Sequence, residues 1–147
     1  MTVYTRTTRY AAKGGTDVQS FIDSLRQFTF LTAVLRLALA VISGGVVGYG
    51  RSKKERAAGL RTYMLISVGA AMAVLLTLYE YEMLTGPWAP VVEEVGLKFD
   101  ASRLAAQVIT GIGFLGAGSI IITKRMTIKG LTTAAGLWAT GIIGLAI

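Results

Sequence analysis

The chain has 147 residues, contains neither cysteine nor histidine, and carries a formal net charge of +7. Thiol nucleophiles, disulfides, zinc sites built on Cys or His, and imidazole acid–base catalysis are thereby excluded. Hydrophobic residues make up 53% and charged ones only 16%, against roughly 25% charged in soluble domains. The charges cluster between long uncharged runs, so the basic balance points to a membrane and not to nucleic acid.

Residues 1–17 are polar and read as a disordered segment. Over 18–28, Val18, Phe21, Ile22, Leu25 and Phe28 recur at helical spacing, as in an amphipathic helix lying along a membrane interface. The apolar run that follows is too long for a signal peptide and has no small-x-small cleavage site after it. Crossing a bilayer core of about 30 Å takes around 20 helical residues. Residues 29–50, broken only by Arg36, satisfy that length, as do residues 62–84. A third span is expected over 104–123 and a fourth over 131–147, the last reaching the end of the sequence still apolar. The expectation is an all-α polytopic protein with four transmembrane helices in one domain, 29–147, and with the lipid bilayer as its first partner.

The connections set the orientation. Residues 51–61 hold five basic side chains and one acid, and 124–130 add Lys124, Arg125 and Lys129. The connection over 80–103 is acidic and contains Pro87 and Pro90. The positive-inside rule puts loops 51–61 and 124–130 in the cytoplasm. Arg6, Arg9, Lys13 and Arg26 lie on the opposite side of that assignment.

The third span contains Gly111, Gly113 and Gly116 in the order G-x-G-x-x-G, the written form of a dinucleotide loop. That fingerprint works between a strand and a helix, with an acid about 20 positions on. Here it lies inside an apolar span followed by Lys124 and Arg125, so no nucleotide and no other cofactor is expected. In lipid, small residues let helix backbones approach. Ala40, Gly44 and Gly48 form one such strip. Ala106, Thr110, Gly113 and Ala117 form a second, and Thr133, Gly136, Thr140 and Gly144 a third. Gly111, Gly113, Gly116 and Gly118 within one short stretch exceed what one strip needs, which leaves either contacts with several helices or a helix break lining a cavity.

Three stretches, "GLRT" (59–62), "SRLAAQVITGIGFLGAGSII" (102–121) and "KGLTTAAGLWATGIIGLA" (129–146), resemble the MgtC/SapB family of bacterial inner-membrane proteins, in the family's order. The likeness runs from about Leu35 to the end. It implies a multi-spanning inner-membrane protein, typically with a further span after the fourth, and here the short form without the soluble C-terminal domain of some members. It also implies a link to growth in low magnesium, acid stress or survival inside host cells. Family members are generally regarded as modulators of other membrane machinery, ATP synthase included. By position, the family's membrane arginine matches Arg36, and its loop arginines match Arg51 and Arg61, the latter followed by Thr62. Its aspartate, arginine and glutamine match Asp100, Arg103 and Gln107. The glutamate often found before the first loop arginine is Gly50 here, with Glu55 the available replacement.

A charge in the bilayer marks function by default, with structural pairing as the plain alternative. Arg36 and Gln107 lie at similar depth, about 10 Å from the outer surface at 1.5 Å per residue, with Asp100 and Arg103 just above. These residues are expected to converge, Arg36 reaching Asp100 or Gln107 and less readily Glu80. Asp100 or Ser102 also suits the N-cap of the third span. The acidic connection reads as a solvated face before it reads as a Mg²⁺ site, and no metal ligand set is assigned. No nucleophile–base pair is present, so no enzyme is expected. The leading reading is a regulatory or interaction protein acting through helix contacts with itself, a dimer favoured, or with a membrane complex. The alternative is a subunit of a transporter or channel for Mg²⁺ or another cation.

Overall fold

The computed structural model describes residues 30–54, 56, 58–122 and 128–147. The expected segments 1–17 and 18–28, Glu55, and the basic pair Lys124 and Arg125 lie outside the described residues. Among the described residues, five helices and two paired strands follow in order: α1 (Phe30–Ser52), α2 (Leu60–Thr85), α3 (Ala89–Val95), α4 (Arg103–Gly118), the strands β1 (Ile121–Ile122) and β2 (Ile128–Lys129), and α5 (Leu131–Ala146). The strands pair antiparallel, Ile121 opposite Lys129 and Ile122 opposite Ile128. The chain is thus mostly helical, with two short strands where a purely helical fold was expected.

Among the described residues, α1 (23 residues) and α2 (26 residues) are long and apolar enough to cross a membrane, at about 35 and 39 Å. The third expected span is helical only to Gly118; α4 and α5 have 16 residues each, about 24 Å. α3 interrupts the acidic connection, with Pro90 in its first turn and Gly96 ending it at φ +67.

Glycines set the packing. α1 and α2 run antiparallel with backbones in contact: a Cβ on Gly44 would lie 2.6 Å from the Tyr63 carbonyl oxygen, and one on Gly48 would lie 2.8 Å from Leu60 Cα. Ala40 completes that strip and is fully buried. α5 lies alongside α2 in the same direction. Gly136 faces the Tyr63 hydroxyl, and Gly144 faces the Ser67 carbonyl and Ala70. α4 closes antiparallel on α5, Gly116 against Ala134 and Ile112 against Gly141. The strips of α1 and α5 are therefore internal seams.

The buried apolar cluster is small: Ala58, Tyr63, Ile112 and Leu137, flanked by Val47, Ile66 and Val108. Large apolar side chains point outward instead, among them Leu39, Ile42, Val46, Leu65 and Phe114. Soluble monomers rarely expose apolar surface on that scale. Such a surface suits a membrane protein, as do the two helices of membrane-crossing length.

The stretch over 110–118 is one unbroken helix, with a turn and not a strand before it. That removes the nucleotide loop and also the helix break. Among the described residues, Gly111, Gly113 and Ala117 meet no neighbouring helix within the chain, and all three are exposed. Space beside Gly111, Gly113 and Gly118 is open, and Gly116 alone of the four glycines is buried. Contact with α5 runs through Ile112 and Gly116; at about 100° per residue, Gly113 and Ala117 are turned away from that seam.

Candidate functional site

The helix directions bring the ends together in two sets. Arg51, Leu60, Gly118 and Leu131 mark a basic end, and Phe30, Thr85, Arg103 and Ile147 mark the other.

At the basic end, Arg51 in the last turn of α1 crosses to the first turn of α5, where its Nη2 donates to Thr133 Oγ1. Its guanidinium carbon lies 5.3 Å from the Tyr63 ring centroid, a cation–π contact strengthened by exclusion of water. Tyr63 has no exposed surface. Its hydroxyl donates to the Thr133 carbonyl at 3.4 Å. A Cβ on Gly48 would lie 3.0 Å from Tyr63 Cβ, and one on Gly136 would lie 2.5 Å from the Tyr63 hydroxyl oxygen. The ring is slotted between two glycines of different helices, so it positions α1, α2 and α5 together. Arg51 Nε is buried without a hydrogen-bond acceptor.

Arg61 and Thr62, which the resemblance picks out, are exposed, and Tyr63 beside them is the buried one. Sequence reasoning missed Tyr63. A signal existed: Tyr63, Ser67, Ala70 and Ala71 recur at helical spacing and form the buried face of α2.

Beside Arg51 opens a cavity of about 360 Å³, to which Lys54, Arg56, Gly130, Thr132 and Thr133 contribute. Gly130 starts α5 at φ +97 with no side-chain cap, and that left-handed conformation favours glycine. Its Cα faces the Ser119 carbonyl, where a side chain would collide.

At the opposite end the expected convergence is divided. Arg36 is partly buried, and its Nη1 donates to the Ile147 carbonyl at 2.9 Å. No hydrogen bond joins it to Asp100 or Gln107 among the described residues, and that pairing is corrected. The equal depth of Arg36 and Gln107 put them in one layer but on helices that hardly meet. Gln107 and Arg103 are exposed. Asp100 Oδ1 instead accepts from the Ser102 amide at 3.0 Å and the Ser102 hydroxyl at 2.7 Å. These bonds hold the Asp100 carboxyl below its ordinary pKa. Ser102 occupies the N-cap of α4 without a side-chain cap bond. Glu80, Asp100 and Arg103 do share a cleft of about 400 Å³, walled by Trp88, Phe99 and Leu104. Among the described residues no group of three His, Cys, Asp or Glu could hold a metal ion.

Comparison with known proteins fits this framework. The MgtC family model matches residues 37–147. The chain is 42% identical to YhiD of Escherichia coli K12, provisionally named a magnesium transporter, over 114 residues that cover 78% of this chain and 49% of that protein. It is 40% identical over 111 residues to an uncharacterized protein of Haemophilus influenzae, covering 76% and 44%. With the MgtC protein of Salmonella typhimurium LT2 it shares 39% identity over 112 residues, covering 76% and 41%. The chain spans half the length or less of these relatives. No solved structure matches it. By the family model and these relatives together, the chain belongs to the MgtC family.

Proposed function

We propose that this chain is a regulatory or interaction protein of the bacterial inner membrane. It crosses four times with its basic end in the cytoplasm, and it acts through helix contacts with a second copy of itself or with a membrane complex such as ATP synthase. The outer face of α4 carries the reading. Ala106, Thr110, Gly113 and Ala117 form a strip of small residues, all exposed, while the comparable strips of α1 and α5 are filled from within the chain.

Small side chains facing lipid give up helix propensity, up to about 1 kcal/mol per glycine in water. They gain close backbone packing only when another helix covers them. A helix of about 24 Å is also shorter than the hydrocarbon core, a mismatch that association relieves. The name of the Escherichia coli relative supports a link to magnesium, and adaptation to low magnesium is the setting proposed for this role. Gly113→Leu tests it: the expected result is a smaller particle in mild detergent with the monomer's fold retained, and an unchanged particle size counts against the reading.

A cation transporter or channel subunit is the second reading, favoured by the provisional name of YhiD. It requires saturable Mg²⁺ uptake into liposomes that Arg36→Ala abolishes. The interaction reading expects no uptake above protein-free vesicles.

A further inference from the structure

We infer that the cavity at the basic end of the bundle binds a phosphate group, carried by an anionic lipid headgroup or by a soluble phosphate. This goes beyond the helix-contact reading and does not depend on it. Three cationic side chains reach the cavity from two elements, Arg51 from the end of α1 and Lys54 and Arg56 from the turn that follows. Residues 51–61 together hold five basic side chains and one acid. Three of them line one open pocket of about 360 Å³, Arg51 partly buried at its base and Lys54 and Arg56 exposed at its edge.

The opposite wall is the N-terminus of α5, contributed by Gly130, Thr132 and Thr133. The first backbone bond of that helix runs from the Ala134 amide to the Gly130 carbonyl. The amides before Ala134 therefore have no intrahelical acceptor, and Gly130 supplies no capping side chain. Free amides and the positive end of the helix dipole favour an anion. Arg51 is preorganised as well. Thr133 and Tyr63 fix its guanidinium, and its Nε lies buried without an acceptor. A planar guanidinium can donate to two phosphate oxygens at once, and a phosphate carries a further oxygen for Lys54 or Arg56.

Position favours the headgroup as one source: the cavity lies at the end of α1 and α2, the two helices with membrane-spanning length. The full chain is purified into nanodiscs of zwitterionic phosphatidylcholine. In one arm, phosphatidylglycerol is titrated into the discs; in the other, inorganic phosphate is added to the buffer. Binding is read by thermal shift and by native mass spectrometry. Saturable binding in either arm is expected and identifies the source. Lys54→Gln with Arg56→Gln should weaken it by about tenfold or more, since each near-surface cation contributes about one thermal-scale increment to phosphate attraction. Lys53→Gln removes a charge of the same loop outside the cavity and should weaken binding much less. Arg51 is left intact in these variants because it also holds the bundle. No saturable binding in either arm overturns the inference, and so does an equal loss in the Lys53 variant, which would reduce the effect to diffuse loop charge.

Discussion

Gly44 and Tyr63 meet backbone to backbone, close enough that a Cβ on Gly44 would sit 2.6 Å from the Tyr63 carbonyl oxygen and 2.8 Å from Met64 Cα. Neither backbone atom can move without separating α1 from α2. Gly44→Ala should therefore destabilise the protein by about 1–3 kcal/mol, the usual cost of overpacking. Gly111→Ala, which adds the same methyl into open space, should be neutral or gain up to about 1 kcal/mol of helix propensity. Thermal unfolding of both variants in one detergent checks the contrast, and equal effects would contradict the α1–α2 seam.

Arg51 is expected to matter more than its exposed neighbours in the loop. Arg51→Leu removes the cation–π contact and the Thr133 hydrogen bond together, a loss of about 1–3 kcal/mol. Tyr63→Phe keeps the ring between its two glycines and removes only the long hydroxyl bond to Thr133, about 0.5–1 kcal/mol. Denaturation in detergent should rank the variants in that order, with Arg61→Gln close to the unmodified protein.

The Arg36 hydrogen bond to the Ile147 carbonyl decides a further outcome. Arg36→Leu and Asp100→Asn should have additive effects on stability, within about 0.5 kcal/mol, as sites without shared partners do. A coupling larger than that in a double-mutant cycle would restore a direct pair between them.

Orientation is testable with single cysteines, because the chain has none of its own. Ser52→Cys at the basic end and Glu93→Cys on α3 should label oppositely with an impermeant reagent applied to intact cells. Only the second should react from outside. Labelling of Ser52→Cys from outside would reverse the orientation.

Much of the packing is legible in the sequence, and the failures have a common cause. Ala40, Gly44 and Gly48 at intervals of four do form a seam, as do Thr133, Gly136, Thr140 and Gly144. Ala106, Thr110, Gly113 and Ala117 obey the same rule yet face outward, since spacing shows that a face can accept a helix but not which helix comes. Arg36 and Gln107 illustrate the same gap: counting residues along a span gives depth, while pairing also needs rotation about the helix axis. Tyr63 was hidden for another reason. A tyrosine at the end of an apolar span reads as an interfacial anchor, and only the glycines of two other helices reveal the slot that buries it.

The face of α4 is tested most directly by photocrosslinking in native membranes. A benzophenone reagent on Gly113→Cys is compared with the same reagent on Leu65→Cys, an outward apolar position of α2 that is 72% exposed. Helix contact through α4 predicts a discrete protein adduct from position 113, either a dimer of this chain or a one-to-one product with another membrane protein, and only lipid adducts from position 65. Lipid adducts alone from both positions would contradict it.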